Sequence, residues 1–279
     1  MLIHQVIDHL DEALTYLSKR SLQKGSNDDI WDLRFQWPLR KAELSAQLLS
    51  QTYVFSPCKL FEYKPGKVLH TFRSVDKLVL KALALTLIEV LPRSPLCFSY
   101  AGHGGVPSAL RHISPYANCR FGFKTDVANY YTSIDPVYLL RRLSPYLDAS
   151  ISGLLYRALK VHEVGLPRGS ALSHVLGNFY LHELDIVFEG RGSTQHYCRY
   201  MDDILIFSHS RGALRRAVKT VMHQLDNLGL QAARTKQWIG QTPTNSCLVH
   251  FLGCPFSMLP SLTPMTHVAT QSRASVICC

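Results

Sequence analysis

Apolar side chains recur along this chain in two rhythms, one helical and one alternating, and the switch between them outlines the fold. Leu2, Ile3, Val6, Ile7, Leu10, Leu14 and Leu17 mark an amphipathic helix over residues 1–20. Residues 21–70 are mixed, with turn signals at Lys24-Gly25-Ser26-Asn27 and Lys64-Pro65-Gly66. A second helix begins at Ser74 as its N-cap, with Asp76 in its first turn. Leu78, Val79, Ala82, Leu83, Thr86, Leu87 and Val90 continue it until Pro92 stops it. Gly102 to Pro107 reads as a glycine-rich loop. Phe121 to Val127 reads as a strand ending in the carboxylate of Asp126. A helix follows from Pro136, and another is marked by Leu172, Val175, Leu176, Phe179 and Val187. Two apolar strands, Thr194 to Arg199 and Ile204 to Ser208, flank a tight connection carrying Met201 and Asp202. Leu214, Val218, Val221, Met222, Leu225 and Leu228 give a helix over 212–228, closed by Gly229. A short strand pair is expected around Gln231 to Ile239 and Leu248 to Phe256. The order is helix-rich, then strand, helix, hairpin, helix and strand, which predicts an α+β fold with an antiparallel sheet.

Charge adds a partner class. The 279 residues carry 30 Lys plus Arg against 20 Asp plus Glu, a net charge of +10. That balance suits a phosphate backbone, and it equally suits a basic protein with no special partner. The eight cysteines contain no Cys-x-x-Cys pair and no zinc-type Cys/His quartet, which fits a reducing cytoplasm. His103, His162, His174 and His196 show no ligand spacing and read as polar or packing residues. The N-terminus lacks the pattern of a signal peptide. The most apolar run, Leu78 to Leu91, includes Lys81 and Glu89 and is too short to span a bilayer. A cytoplasmic protein with no membrane partner is expected.

Chemistry concentrates in the carboxylates. Asp202 and Asp203 share a hairpin tip, where two adjacent charges repel unless a cation offsets them. Mg²⁺ does this well with one or two carboxylates plus substrate phosphate oxygens. Asp126 ends a separate strand, and a strand end and a hairpin tip can lie side by side. Such a trio can hold two metal ions for phosphoryl displacement. Read alone, the Asp202-Asp203 pair also suits a solvated turn.

Five segments in order give the chain a family resemblance. Phe123-Lys124-Thr125-Asp126-Val127-Ala128-Asn129-Tyr130-Tyr131 onward looks like the first palm motif of the reverse transcriptases, especially their bacterial group II intron-like and retron-like branch. Gly165-Leu166-Pro167-Arg168-Gly169-Ser170 looks like the second, and Tyr200-Met201-Asp202-Asp203 like the metal-binding hairpin. Leu228-Gly229-Leu230 through Lys236 resembles the fourth, and Phe251-Leu252-Gly253 the fifth, a primer-contacting hairpin. Arg73 to Lys77 and the helix after them look like the fingers segment.

The resemblance implies a right-hand polymerase of fingers and palm. Residues 1–120 would be fingers with an N-terminal helical region, 121–135 the first part of the palm, and 136–163 a helical insertion between the two. Residues 164–258 would complete the palm, and 259–279 would be a short tail or thumb remnant. It implies an RNA-directed DNA polymerase that takes an RNA template, a DNA or RNA primer and dNTPs, and serves a retroelement. Asp126, Asp202, Asp203 and the backbone of Val127 would bind two Mg²⁺ ions, with Mn²⁺ as the alternative. Arg73, Lys77, Arg168 and Gly169 would contact the nucleotide, and Tyr131 would exclude a ribose 2′-hydroxyl. Lys236 would supply a proton or charge to the departing pyrophosphate. Tyr200, Met201, Phe251, Leu252 and Gly253 would face primer and template. The glycines of the second motif would let the backbone approach the templating base pair.

The sequence also departs from the family pattern. Arg168 stands where the family usually carries Gln, Ala171 where it carries Pro, and Ser173-His174 replaces Ser-Pro. Only 21 residues follow Met258, where the family normally has a helical thumb. Three alternatives stand beside the polymerase: a truncated, non-processive or inactive RNA-binding relative, either a remnant or a subunit that borrows a thumb, a palm-type nucleotidyl cyclase, and an RNA-templated RNA polymerase.

Overall fold

A computed structural model of the chain describes residues 2–64, 67–161, 164–241, 249–252 and 254–256. Four N-terminal helices, α1 (Leu2–Asp8), α2 (Leu10–Arg20), α3 (Asp29–Phe35) and α4 (Trp37–Leu49), precede a hairpin of β1 (Lys59–Lys64) and β2 (Lys67–Thr71). The helix expected over 1–20 is therefore two. The ladder nearly continues through the break, because His9 N–H reaches Gln5 O and Ala13 N–H reaches His9 O.

The long helix α5 (Ser74–Val90) is the centre of the helical half, and α1, α2 and α10 (Ala171–Tyr180) pack on it. Ser74 does not cap it. Arg73 holds the N-cap position without a side-chain bond. Ser74 instead gives its N–H (2.8 Å) and its hydroxyl to Asp29 of α3. A carboxylate from a neighbouring helix thus satisfies the first backbone donor of this helix start, a long-range solution that local pattern does not display. The glycine loop is also shorter than expected, because α6 (Gly105–Ile113) begins inside it and Gly104 and Gly105 carry the left-handed turns.

The second half is built on a four-stranded antiparallel sheet. Its strands are β3 (Phe121–Thr125), β4 (His196–Tyr200), β5 (Asp203–Ser208) and β6 (Trp238–Gln241), in the order β4-β5-β3-β6. Between β3 and β4 run α7 (Tyr130–Ser133), α8 (Pro136–Leu143), α9 (Ala149–Lys160), α10 and α11 (His182–Phe188). Asp135 caps α8, accepting from Val137 and Tyr138 N–H. After β5, α12 (Arg211–Asn227) packs on β3 and β5 and ends at Leu228, with Gly229 in the left-handed conformation. β7 (Val249–Phe251) and β8 (Cys254–Phe256) pair antiparallel as a separate two-stranded hairpin. Strands occur in both expected stretches, around 231–239 and 248–256, but among the described residues they do not pair with each other. Trp238 to Gln241 join the edge of β3 instead.

The sheet is covered on both faces. Ile204 and Ile206 face the main core, while Leu205 and Phe207 face a second cluster with Ala109, Ile113, Cys119, Cys198 and Phe251. This explains why β5 reads as a continuous apolar run rather than an alternating one. Among the described residues no helix is long and apolar enough to cross a membrane.

Candidate active site

Strand register decides where the carboxylates meet. Thr125 of β3 lies opposite Ile204 of β5, so Asp126 leaves its strand beside the tip that carries Asp202 and Asp203. Across the hairpin Tyr200 faces Asp203, which leaves Met201 and Asp202 as a two-residue connection. Such connections need a positive φ, and Met201 supplies it at +54°. A non-glycine residue there is strained by roughly 1–2 kcal/mol.

A buried polar assembly holds that turn. Met201 N–H donates to Ser99 Oγ (3.0 Å), and Arg199 Nη1 donates to Met201 O (2.7 Å). Arg199 and Asp185 are both fully buried and paired, with Nε to Oδ1 at 2.7 Å and Nη2 bonded to Oδ2. Tyr197 hydroxyl also donates to Asp185 (2.7 Å), and the remaining guanidinium hydrogens go to Asn178. Ser99 hydroxyl donates to Asn178 Oδ1 (2.6 Å). Burial opposes the Arg199 charge, but Asp185 outweighs it and holds the guanidinium firmly ionised. Sequence reading missed all four of Ser99, Asn178, Asp185 and Arg199. The available signal was one charge of each sign inside an apolar stretch, Asp185 between Leu184 and Ile186 and Arg199 after Tyr197-Cys198.

Above the turn the carboxylates are under-satisfied. Burial raises the Asp202 carboxyl above the ordinary range, and its contact with Asp126 and the charges of Asp126 and Asp203 add to this. Asp203 is raised by burial and by Asp126, with Lys124 and Lys236 opposing. Asp126 Oδ2 pairs with Lys236 Nζ, while Asp126 Oδ1 is buried with no hydrogen-bond partner among the described residues. Lys236 arrives there because the chain after α12 runs beside the end of β3. Ala128 N–H bonds Gln231 O (2.8 Å) and Ala233 N–H bonds Asp126 O (2.7 Å). In that pattern the bridged pair Val127 and Ala232 turn their own peptide groups away from each other, which aims Val127 towards the β5 side. Three clustered carboxylates, an orphaned buried oxygen and a carbonyl on the same side form a donor set that fits a hard divalent cation.

Two tyrosines separate cleanly. Tyr130 is buried and bonds Gly177 O, whereas Tyr131 is half-buried on the same turn. Gly177 of α10 leaves room for both rings and for Met201, because a Cβ there would lie 3.2 Å from Tyr130 and 3.6 Å from Tyr131 and Met201. The 165–169 loop is stitched at both ends. Leu166 N–H bonds Tyr131 O (2.7 Å), and His70 N–H of β2 bonds Arg168 O (3.0 Å). Gly165, at φ +66°, would place a Cβ 2.3 Å from Tyr131 O. Its close backbone approach is thus made to the protein's own Tyr131 and Thr132.

Lys77 lies in a cleft with Arg20, Lys24 and Lys81 around Tyr16, closed by Gly169 to Ala171. Burial, then the neighbouring Lys24 charge, lowers the Lys77 ammonium. Lys81 sits 4.2 Å from the Tyr16 ring centroid. Arg73 is exposed at the N-cap of α5, and Arg168 is half-buried. Tyr200 is half-buried in β4, and Phe251 is fully buried against the second cluster, so its side chain anchors the β7–β8 hairpin. Leu252, at φ +56°, forms its turn. Gly253 and residues 257–279 lie outside the described residues, as does His162.

A family model described as reverse transcriptase (RNA-dependent DNA polymerase) matches residues 67–256. The "Uncharacterized 91 kDa protein in cob intron" of Schizosaccharomyces pombe is 33% identical over 139 residues, 44% of this chain and 17% of that protein. The group II intron-encoded protein LtrA of Lactococcus lactis subsp. cremoris is 28% identical over 192 residues, 61% of this chain and 31% of its own. The chain therefore spans a third or less of the curated relatives it matches. An apo telomerase structure from Candida tropicalis, truncated from its C-terminal domain, aligns at a TM-score of 0.47 and 10% identity over 65% of this chain and 43% of that one.

Proposed function

Because the chain belongs to the reverse transcriptase family, we propose that it extends a DNA or RNA primer with dNTPs on an RNA template. The observation that carries this reading is the meeting of Asp126 with Asp202 and Asp203, from separate strands, around an orphaned buried oxygen. Asp126, Asp202, Asp203 and the Val127 carbonyl would hold two Mg²⁺ ions, with Mn²⁺ as a substitute, and such a pair would supply activation of the primer hydroxyl and charge stabilisation at the departing oxygen.

The chain's own residues do the rest. Lys236, beside Asp126, offers a proton or positive charge to the leaving pyrophosphate. Lys77 and its neighbours in the basic cleft, which Gly169 also lines, bind the triphosphate, and Arg73 and Arg168 contact the same nucleotide. An anion there relieves the mutual repulsion of the crowded cations. Tyr131 meets the sugar and excludes a 2′-hydroxyl. Tyr200, Met201 and the segment Phe251-Leu252-Gly253 face the primer and template. Residues 1–120 serve as fingers, with the 136–163 insertion between them and a palm of 121–135 and 164–258. Any thumb is supplied outside these segments.

Primer extension on an RNA template with dNTPs and Mg²⁺ tests the reading. The wild-type chain should incorporate nucleotides, and Asp202→Asn should lower the rate by on the order of 10²–10³-fold or more. A folded wild type that binds RNA but incorporates nothing supports the non-synthesising relative instead. Tyr131→Ala should relax rejection of ribonucleotides, and unchanged sugar selectivity would remove its assigned role.

A further inference from the structure

The end of the sheet away from the carboxylates gathers a different set of donors. Cys119 lies just before β3, His196 opens β4 and His209 directly follows β5. One ligand atom from each lies within 4.8 Å of the other two. Cys119 Sγ and His209 Nε2 are 3.4 Å apart. In a tetrahedral zinc site, bond lengths near 2.3 Å to sulfur and 2.0–2.1 Å to nitrogen put those two atoms about 3.6 Å apart.

We propose that Cys119, His196 and His209 bind one zinc ion that pins together the far ends of β3, β4 and β5.

Each ligand is delivered by a different structural cause. Cys119 N–H bonds Tyr116 O (3.0 Å), a turn that tucks the thiol beneath the sheet, where it is fully buried. Tyr116 stacks on His196 with ring centroids 3.6 Å apart and planes within 6°, which fixes that imidazole. His209 is exposed and free to close the last distance, and its open side admits a water as fourth ligand. The neighbouring His112 gives its Nε2 to Tyr197 O at 3.1 Å and falls outside the cluster of mutually close ligand atoms. With β3 only five residues long, the site stands on the order of 17 Å from the carboxylates and its metal is distinct from theirs. The motif escapes sequence inspection because its members are 77 and 13 residues apart, as the numbers 119, 196 and 209 give by subtraction.

Metal content of the full chain provides the test, measured in an Asp126→Asn, Asp202→Asn, Asp203→Asn background so that the carboxylates cannot contribute. After chelation and titration with Zn²⁺ alone, one ion per chain should bind and Tm should rise by roughly 5–10 °C at saturation. Co²⁺ should replace it with a thiolate-to-metal charge-transfer band that Cys119→Ser abolishes. His209→Ala, at an exposed position that the fold does not need, should lower zinc affinity at least tenfold, so the proposal stays testable even if the Cys119 variant fails to fold. Two results would overturn it: less than stoichiometric zinc in the parent, in which case the thiol and imidazole share only a hydrogen bond, or full zinc affinity retained by His209→Ala.

Discussion

Two ion pairs flank the same two-residue turn, and their surroundings are opposite. Below it, Arg199 and Asp185 are wholly shut off from solvent, and Tyr197, Asn178 and the Met201 carbonyl take up the bonds the pair leaves over. Above it, Lys236 is 65% exposed and Asp126 keeps one oxygen with no partner among the described residues. The lower pair is saturated, so it fixes geometry. The upper one is unsaturated, so it retains the capacity to bind.

The sharpest way to break this contrast is to remove one member of the saturated pair. Arg199→Met should destabilise the chain by about 3–5 kcal/mol in urea unfolding, since Asp185 is left buried and uncompensated. Arg199→Met with Asp185→Leu should cost less than either single change. A single variant within 1 kcal/mol of the parent, on the order of a surface pair, would erase the distinction.

The unsaturated side should respond in the opposite direction. Asp202 is raised, so between the ordinary carboxylate value and the raised one the folded chain holds a proton that the unfolded chain has released. Stability from this group is therefore full at low pH and is lost as pH rises through that window. With a chelator present, Asp202→Asn should gain stability over the parent by on the order of 1–2 kcal/mol at about pH 8 and by less at about pH 5. Mg²⁺ should shrink the gain by stabilising only the parent. A pH-independent difference would show that neither burial nor the neighbouring carboxylates raise Asp202. The smallest effect belongs to Lys236→Ala, which should change stability by less than about 1 kcal/mol because the ammonium is largely solvated. A larger loss would make this pair structural too.

The unequal legibility of these two sides has a physical basis. Asp126, Asp202 and Asp203 sit at the ends of apolar strands, so local pattern displays them. Arg199 and Asp185 lie within buried stretches and make sense only once 14 positions of separation are folded into contact. The same holds for Asp29 capping α5 in place of Ser74, and for β6 pairing with β3: both are choices of partner, which periodicity does not encode. The helices α5 and α12 and the β4–β5 hairpin, being local, are read from the sequence to within a few residues, whereas α3, α4 and the β1–β2 hairpin lie in the stretch whose pattern is mixed.

The 165–169 loop carries one further consequence. It is bonded to Tyr131 at one end and to the β1–β2 hairpin through His70 at the other, with no side chain at Gly165 to act as a cushion. These contacts work as links in series. If the hairpin swings, the His70–Arg168 bond must part or the loop must travel with it, and the travel ends on the backbone of Tyr131. A displacement of β2 would thereby reach the backbone of Tyr131, so the loop mechanically couples the β1–β2 hairpin to the turn beside the carboxylates.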